Sequence, residues 1–498
     1  MSAAPDRARR RFLQASAALA AVAAVPATAR TANADLTRLT LAEASDLVRR
    51  RALSPVALTQ ACLDRIGRYE SRVNAFITLT PEIALAQAYA AEVEIARGAW
   101  RGPVHGIPIA LKDNIDTQGI RTTAASKVYA DRIPAQDAVV VTRLKAGGAV
   151  LLGKLNMGEF AMSESVVSNW GAVHNPWKLD RETGGSSSGA AAAIAADFCF
   201  GAIGTDTAGS IRMPASHCGV VGLKPSYGLV SNTGVIPMIE SMDHVGPLAK
   251  TVGDAALLLE VLAGHDPAWP ESVGVPAVDY AAAARKAVGA MRIGVARTPF
   301  LEGADPEIVA VFEAAVVVLS SLAPAIRDTV LPPVEVDVLA MFAAETGAYH
   351  RPLQAAHALD YQPSNRNKFT GPKAVDGWAV AAEYVTARHQ LLAARRAIPA
   401  YFAGIDVVAL PTMRYLPRRN DLLFDEVNRG IAVGGSNTRI FDMLGLPAIS
   451  IPAGFSRDGL PIGLQIVGAP FAEARVLSLA RAFEAATTWH LRRPGLAA

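Results

Sequence analysis

Residues 183–193 read TGGSSSGAAAA. Three consecutive serines stand between glycines and an alanine run, and the choice among them decides the fold. Gly185-Ser186-Ser187-Ser188-Gly189 fits the G-x-S-x-G pattern of a nucleophile elbow, with Ser187 as the nucleophile and a helix after it. That motif also requires a strand immediately before the serine and an acid and a histidine downstream. The preceding residues, His174-Asn175-Pro176-Trp177-Lys178-Leu179-Asp180-Arg181-Glu182-Thr183, are loop-forming. His217 and His244 lie downstream, but neither stands in a telling local pattern. A phosphate-binding loop would end in Gly-Lys-Ser/Thr, and no lysine follows here. Taken alone, the stretch reads more readily as a glycine–serine turn opening an alanine-rich helix than as a site.

Two further blocks change the reading. Residues 204–219, GTDTAGSIRMPASHCG, carry another serine, Ser210. Residues 106–116, GIPIALKDNID, place Lys112 at the end of an apolar run. Burial disfavours a charged lysine and lowers its pKa. To act as a base near neutral pH it must fall from about 10.4 toward roughly 7–8. The alternative is a lysine snorkelling to water from a strand end.

Together these blocks resemble the amidase signature family. The likeness includes Gly106-Ile107-Pro108-Ile109-Ala110-Leu111-Lys112-Asp113 and Gly153-Lys154-Leu155-Asn156-Met157-Gly158-Glu159-Phe160-Ala161-Met162. It continues through Gly184-Gly185-Ser186-Ser187-Ser188-Gly189, Gly204-Thr205-Asp206-Thr207-Ala208-Gly209-Ser210-Ile211-Arg212, Cys218-Gly219 and Asp243-His244-Val245-Gly246-Pro247-Leu248-Ala249. It is dense from about residue 38 to 265, returns at 445–448 and 459–465, and is thin between about 270 and 440.

The resemblance implies an α/β amidase signature fold, with a central mixed β-sheet covered by helices on both faces. It implies Ser210 as nucleophile, Ser186 as proton relay and Lys112 as base. The spacing of 24 residues from Ser186 to Ser210 fits the family register, which Ser187 and Ser188 would break. The backbone N–H groups of Thr207, Ala208, Gly209 and Ser210 are then the expected oxyanion donors. Ala208 stands where many members have glycine, and Ser188 and Ala190 also depart from the common pattern. None of these changes removes a catalytic group. Asp206 and Arg212 read as ions holding the nucleophile loop.

The implied chemistry is physically coherent. A serine hydroxyl is a weak nucleophile and needs an adjacent base. A second hydroxyl can bridge a neutral lysine to the nucleophile because it both donates and accepts. The expected activity is hydrolysis of a linear carboxylic amide C–N bond through an acyl-enzyme, without metal or cofactor. One alternative is the amidotransferase subunit of tRNA-dependent glutamine synthesis, which shares the signature. Another is an esterase using Ser187. A binding protein that has lost catalysis is disfavoured by the intact Lys112, Ser186 and Ser210.

The rest of the chain sets the context. Strand-like apolar runs at 107–112, 149–153, 198–204, 219–224, 291–296, 406–411, 447–452 and 462–468 alternate with helical segments, as expected of a sheet covered on both faces. Residues 35–498 read as a single domain, with a loop at 411–428. The divergent stretch from about 340 to 440 is expected to line the acyl pocket, with Phe342, Tyr349, Trp378, Tyr384 and Tyr415 as candidates, although any single one reads more readily as core than as pocket.

Residues 1–34 resemble an export signal. Arg9-Arg10-Arg11-Phe12-Leu13 precedes a short apolar run, and A-x-A sites follow at Ala27-Thr28-Ala29 and Ala32-Asn33-Ala34. A Tat-type signal and a periplasmic or secreted protein are expected. The chain holds 48 basic and 45 acidic residues, and without the signal 43 and 44 remain. Such a neutral chain gives no electrostatic reason to expect nucleic acid. The expected partner is a small-molecule amide, with no stable membrane insertion after signal removal and a homo-oligomer as a possible state. Cys62, Cys199 and Cys218 have no metal-ligand spacing, and their odd number argues against a disulfide framework.

Overall fold

Eleven strands form one sheet: β1 (Phe76–Leu79), β2 (Pro108–Lys112), β3 (Val150–Leu155), β4 (Gly201–Asp206), β5 (Val221–Lys224), β6 (His244–Ala249), β7 (Ile293–Val295), β8 (Ile326–Asp328), β9 (Val407–Pro411), β10 (Ala448–Phe455) and β11 (Pro461–Gly468). Their spatial order is β1-β3-β2-β4-β6-β5-β10-β11-β9-β7-β8. The computed structural model describes residues 35–163, 165–369, 377–428 and 436–496, so the export segment expected over residues 1–34 lies outside the described residues. Thr37–Ala498 forms one compact unit. Among the described residues, no helix is long and apolar enough to cross a membrane.

The sheet is mixed, as the resemblance implied. β2 runs parallel to both β3 and β4, and β7 runs parallel to β8 and β9. The remaining pairs are antiparallel. Every residue of β2 through β6 is buried, with no alternation between faces. Side chains alternate across a strand, so such continuous burial means that both faces are covered. The covering helices include Pro55–Val73, Val252–Leu262, Pro306–Leu322 and Glu473–Ala486.

Local signals explain the element starts. Thr40 caps the helix Leu41–Arg49 in a reciprocal capping box with Glu43. Ser54 caps Pro55–Val73, and proline takes the first helical position. Several elements escape those signals. β1, β6 and β8 were not expected, and the supposed loop at 411–428 contains the helix Asn420–Asn428. A long helix, Gly377–Tyr401, fills part of the divergent stretch. All three cysteines are buried thiols outside any disulfide.

Candidate active site

β2 and β4 are neighbours and run parallel, so their C-terminal ends emerge side by side. β2 ends in Lys112, and β4 carries Thr205 and Asp206 at its end. The serine triplet lies at the start of the helix Ser188–Ala195, which packs on β4. The Gly185–Ser186 peptide is cis. Gly189 lets this helix start press onto the sheet, because a Cβ there would sit 2.3 Å from the Ala75 carbonyl oxygen and 2.5 Å from that of Asn156. The Ser187 N–H donates to the Ser210 carbonyl at 3.2 Å, tying the triplet to the Ser210 loop.

Lys112 is fully buried. Its Nζ lies 2.8 Å from Ser186 Oγ, 2.7 Å from Thr205 Oγ1 and 3.5 Å from the Thr205 carbonyl oxygen. Burial pulls the ammonium down to about 7, although the Asp206 and Asp243 carboxylates oppose the shift. A neutral amine has two N–H donors and one lone pair. Thr205 offers two acceptors, so the lone pair is left facing the Ser186 hydroxyl. Asn114 Nδ2 also donates to Thr205 Oγ1, at 3.2 Å, and holds that hydroxyl in place.

Ser186 and Ser210 line one cavity of about 150 Å³, together with Met162, Met213, Met238 and Tyr415. Ser187 does not line it. Its Oγ is buried, donates to the Thr205 carbonyl at 3.1 Å and accepts from the Thr205 N–H at 3.3 Å. This arrangement opposes the elbow reading, in which Ser187 would stand free at the mouth of the site.

The loop that carries Ser210 is held by ions. Arg212, fully buried, makes a two-pronged contact with Asp206 at 2.9 and 3.1 Å and reaches Asp442 at 2.5 Å and Gln465 at 2.8 Å. Burial alone would raise the Asp206 pKa, but the Arg212 guanidinium more than offsets it and holds the carboxyl well below its ordinary range. Asp206 also accepts from the N–H groups of Gly209 at 2.5 Å and Ile211 at 3.1 Å. The Gly209 N–H is therefore already engaged, which corrects its expected place among the oxyanion donors. Those of Thr207, Ala208 and Ser210 have no acceptor among the described residues. Gly209 has φ +123°, and a Cβ there would fall 2.1 Å from Thr438 Oγ1, so only glycine fits.

Of the aromatic residues expected around the pocket, Tyr415 lines it. Tyr349 instead bonds Tyr129 through its hydroxyl at 2.9 Å, and Tyr384 bonds Glu345 at 3.1 Å. Phe342 packs against apolar clusters around Met341 and Phe160. The side chain of Trp378 lies outside the described residues. Sequence reasoning missed Thr205 and Asn114 as supports of Lys112, although both stand inside the quoted motifs. It also missed Met213, Met238 and Arg439 at the cavity, and Arg439 has no local pattern that could have announced it.

A family model described as Amidase matches residues 57–477. A glutamyl-tRNA(Gln) amidotransferase subunit of Moorella thermoacetica is 41% identical over 93% of this chain and 99% of its own length. A solved structure of 6-aminohexanoate cyclic dimer hydrolase complexed with substrate superposes with a TM-score of 0.82 at 30% identity, covering 93% of this chain and 100% of that one. The peptide amidase from Stenotrophomonas maltophilia superposes with a TM-score of 0.79 at 32% identity, covering 92% of this chain and 98% of that one.

Proposed function

The chain belongs to the amidase family, and from that premise we propose that it cleaves a carboxylic amide C–N bond through an acyl-enzyme on Ser210. The observation that carries this reading is the buried Lys112 Nζ, 2.8 Å from Ser186 Oγ, with Ser186 and Ser210 in one cavity. Neutral Lys112 takes the Ser186 proton while Ser186 takes that of Ser210, whose Oγ attacks the substrate carbonyl carbon. The carbonyl oxygen becomes an oxyanion facing the free N–H groups of Thr207, Ala208 and Ser210. One such donor is typically worth about 2.7–4 kcal/mol. Collapse of the tetrahedral intermediate breaks the C–N bond, and Ser186 returns the proton to the leaving nitrogen. Water then cleaves the Ser210 ester by the same relay. The esterase reading through Ser187 is disfavoured by the burial and double hydrogen bonding of that hydroxyl.

Two settings suit this chemistry. The sequence relatives favour the amidotransferase reading over a free-standing linear-amide hydrolase, since the Moorella protein matches nearly end to end at 41% identity. There the chain would work within a multi-subunit complex and release ammonia from an amide donor for use elsewhere. The free-standing reading is favoured by the backbone likeness to a cyclic dimer hydrolase and a peptide amidase. It also suits export to the periplasm by a Tat-type signal, a proposal resting on residues 1–34.

The test is labelling with a fluorophosphonate and peptide mapping, on wild type, Ser210→Ala and Ser187→Ala. The label is expected on Ser210 and absent only in Ser210→Ala. A label on Ser187 would overturn the assignment. Ammonia release by the purified chain alone, from glutamine and from a panel of linear and cyclic amides, then separates the two settings.

A further inference from the structure

A second cavity adjoins the one that holds Ser186 and Ser210. It measures about 330 Å³ and is walled by Pro299, Phe300, Leu331, Pro332 and Val334. Ser436 and Arg439 line both cavities, so Arg439 stands where they meet. Arg439 is exposed and has no ion-pair or hydrogen-bond partner among the described residues. Arg414 lines the larger cavity as well. Its Nη1 donates to the Glu302 carbonyl at 3.2 Å, while its Nε is buried without a partner. No aspartate or glutamate lines either cavity among the described residues.

This is an apolar recess that carries positive charge without a facing carboxylate among the described residues, and it shares Arg439 with the cavity of Ser210. A guanidinium presents its donors in a planar fork that matches a carboxylate, and contact at the edge of an apolar wall strengthens the attraction. An amine at the same place would meet repulsion and, among the described residues, no carboxylate to balance its charge. Glutamine would bring a carboxylate for Arg439 but leave its ammonium without a counter-charge.

Resting on amide hydrolysis at Ser210, we infer that the protein selects amides that carry a carboxylate and no ammonium. The apolar body would lie along the Pro299–Val334 wall, with the carboxylate on Arg439. Two substrate types share this chemistry. In the half-amide of a dicarboxylic acid the carboxylate sits on the acyl side of the scissile bond. In an N-acyl amino acid it sits on the leaving amine.

The experiment compares kcat/KM on the full chain for two matched pairs and for glutamine. The first pair is adipic acid monoanilide and 6-hydroxyhexanoic anilide. The second is hexanoyl-4-aminobenzoate and hexanoyl-4-(hydroxymethyl)anilide. One acid is expected to exceed its alcohol by roughly 10- to 100-fold, mainly through KM, as suits a hydrogen-bonded charge pair. The preferred pair identifies the side of the bond that Arg439 serves. That ratio should fall toward one in Arg439→Gln. In Arg439→Glu, an amine-terminated analogue should overtake the acid. Arg439 is exposed, so these variants test recognition rather than folding.

The inference is overturned by equal rates within both pairs, by a preference that survives Arg439→Gln, or by glutamine outrunning both acids. Fluorophosphonate labelling of Ser210 separates the layers. If Ser210 labels but the acids protect it no better than the alcohols, the selectivity fails while amide hydrolysis stands. If Ser210 does not label and no amide is cleaved, both fail together.

Discussion

Replacing Lys112 by methionine should expose the protonation state on which the proposed relay depends. Burial holds Lys112 near 7, against an ordinary lysine value of 10.5. The unfolded chain therefore binds one more proton than the folded chain between those values, and this makes stability rise with pH. At pH 7 the desolvated lysine costs about 4 kcal/mol relative to strongly alkaline solution, and at pH 10 about 1 kcal/mol remains. Methionine carries no such cost. The stability of wild type minus that of Lys112→Met should accordingly rise by about 3 kcal/mol from pH 7 to pH 10. The absolute difference at one pH is a poorer guide, since methionine also removes the Lys112 partner of Ser186 Oγ and leaves Thr205 Oγ1 with Asn114 alone. Urea unfolding of both proteins at pH 7, 8, 9 and 10 measures the difference directly. Amide hydrolysis on the same samples should fall by about 10³-fold or more, as expected when a general base is removed. A stability difference that stays flat over this range would mean that Lys112 keeps an ordinary pKa in the fold, and the neutral-lysine mechanism would fail.

Other outcomes follow from the same geometry. With a non-ionising amide, log kcat/KM should rise with unit slope below about pH 7 and level off above it, because Lys112 acts neutral and titrates near 7; a climb continuing past pH 9 would refute this. Asp243→Asn removes a carboxylate that holds the Lys112 pKa up, so the acid limb of that profile should move to lower pH. Thr205→Val removes the hydroxyl 2.7 Å from Lys112 Nζ, and should lower kcat roughly 10-fold or more with little change in KM, read by steady-state kinetics. Gly209→Ala forces a Cβ to within 2.1 Å of Thr438 Oγ1 at a φ of +123°, and should lower stability by about 2 kcal/mol or more in a denaturant titration and slow labelling of Ser210.

Much of the site was legible because its local patterns are dense. The run IPIAL before Lys112 pointed to a buried strand; whether the lysine at its end snorkels to water or stays buried was open in the sequence, and the fold buries it completely. The loop residues before Gly184 already weakened the elbow reading, and Ser187 is indeed sealed against Thr205. The support of Lys112 by Thr205 and Asn114 was harder to see. Both residues lay in plain view, but threonine and asparagine are ordinary on a strand end or turn, and only the pairing of β2 with β4 brings them together. β6 escaped because Gly246 and Pro247 interrupt its middle, and both residues weaken a strand pattern. Of the divergent stretch, Tyr415, Ser436 and Arg439 reach the cavity, while Tyr349 and Tyr384 satisfy their hydroxyls elsewhere.

Dense motifs made the resemblance to the amidase signature family legible, and that resemblance implied the mixed sheet and the three residues proposed for the relay. Apolar runs, glycines and caps act through backbone preference and burial, which are local and survive in one dimension. The folded chain alone shows which hydroxyls face the cavity, which N–H group is already bound to Asp206, and that Arg439 lines the cavity of Ser210. Those are relations between residues up to hundreds of positions apart, set by strand order and by the packing of helices on the sheet. No short-range pattern carries them.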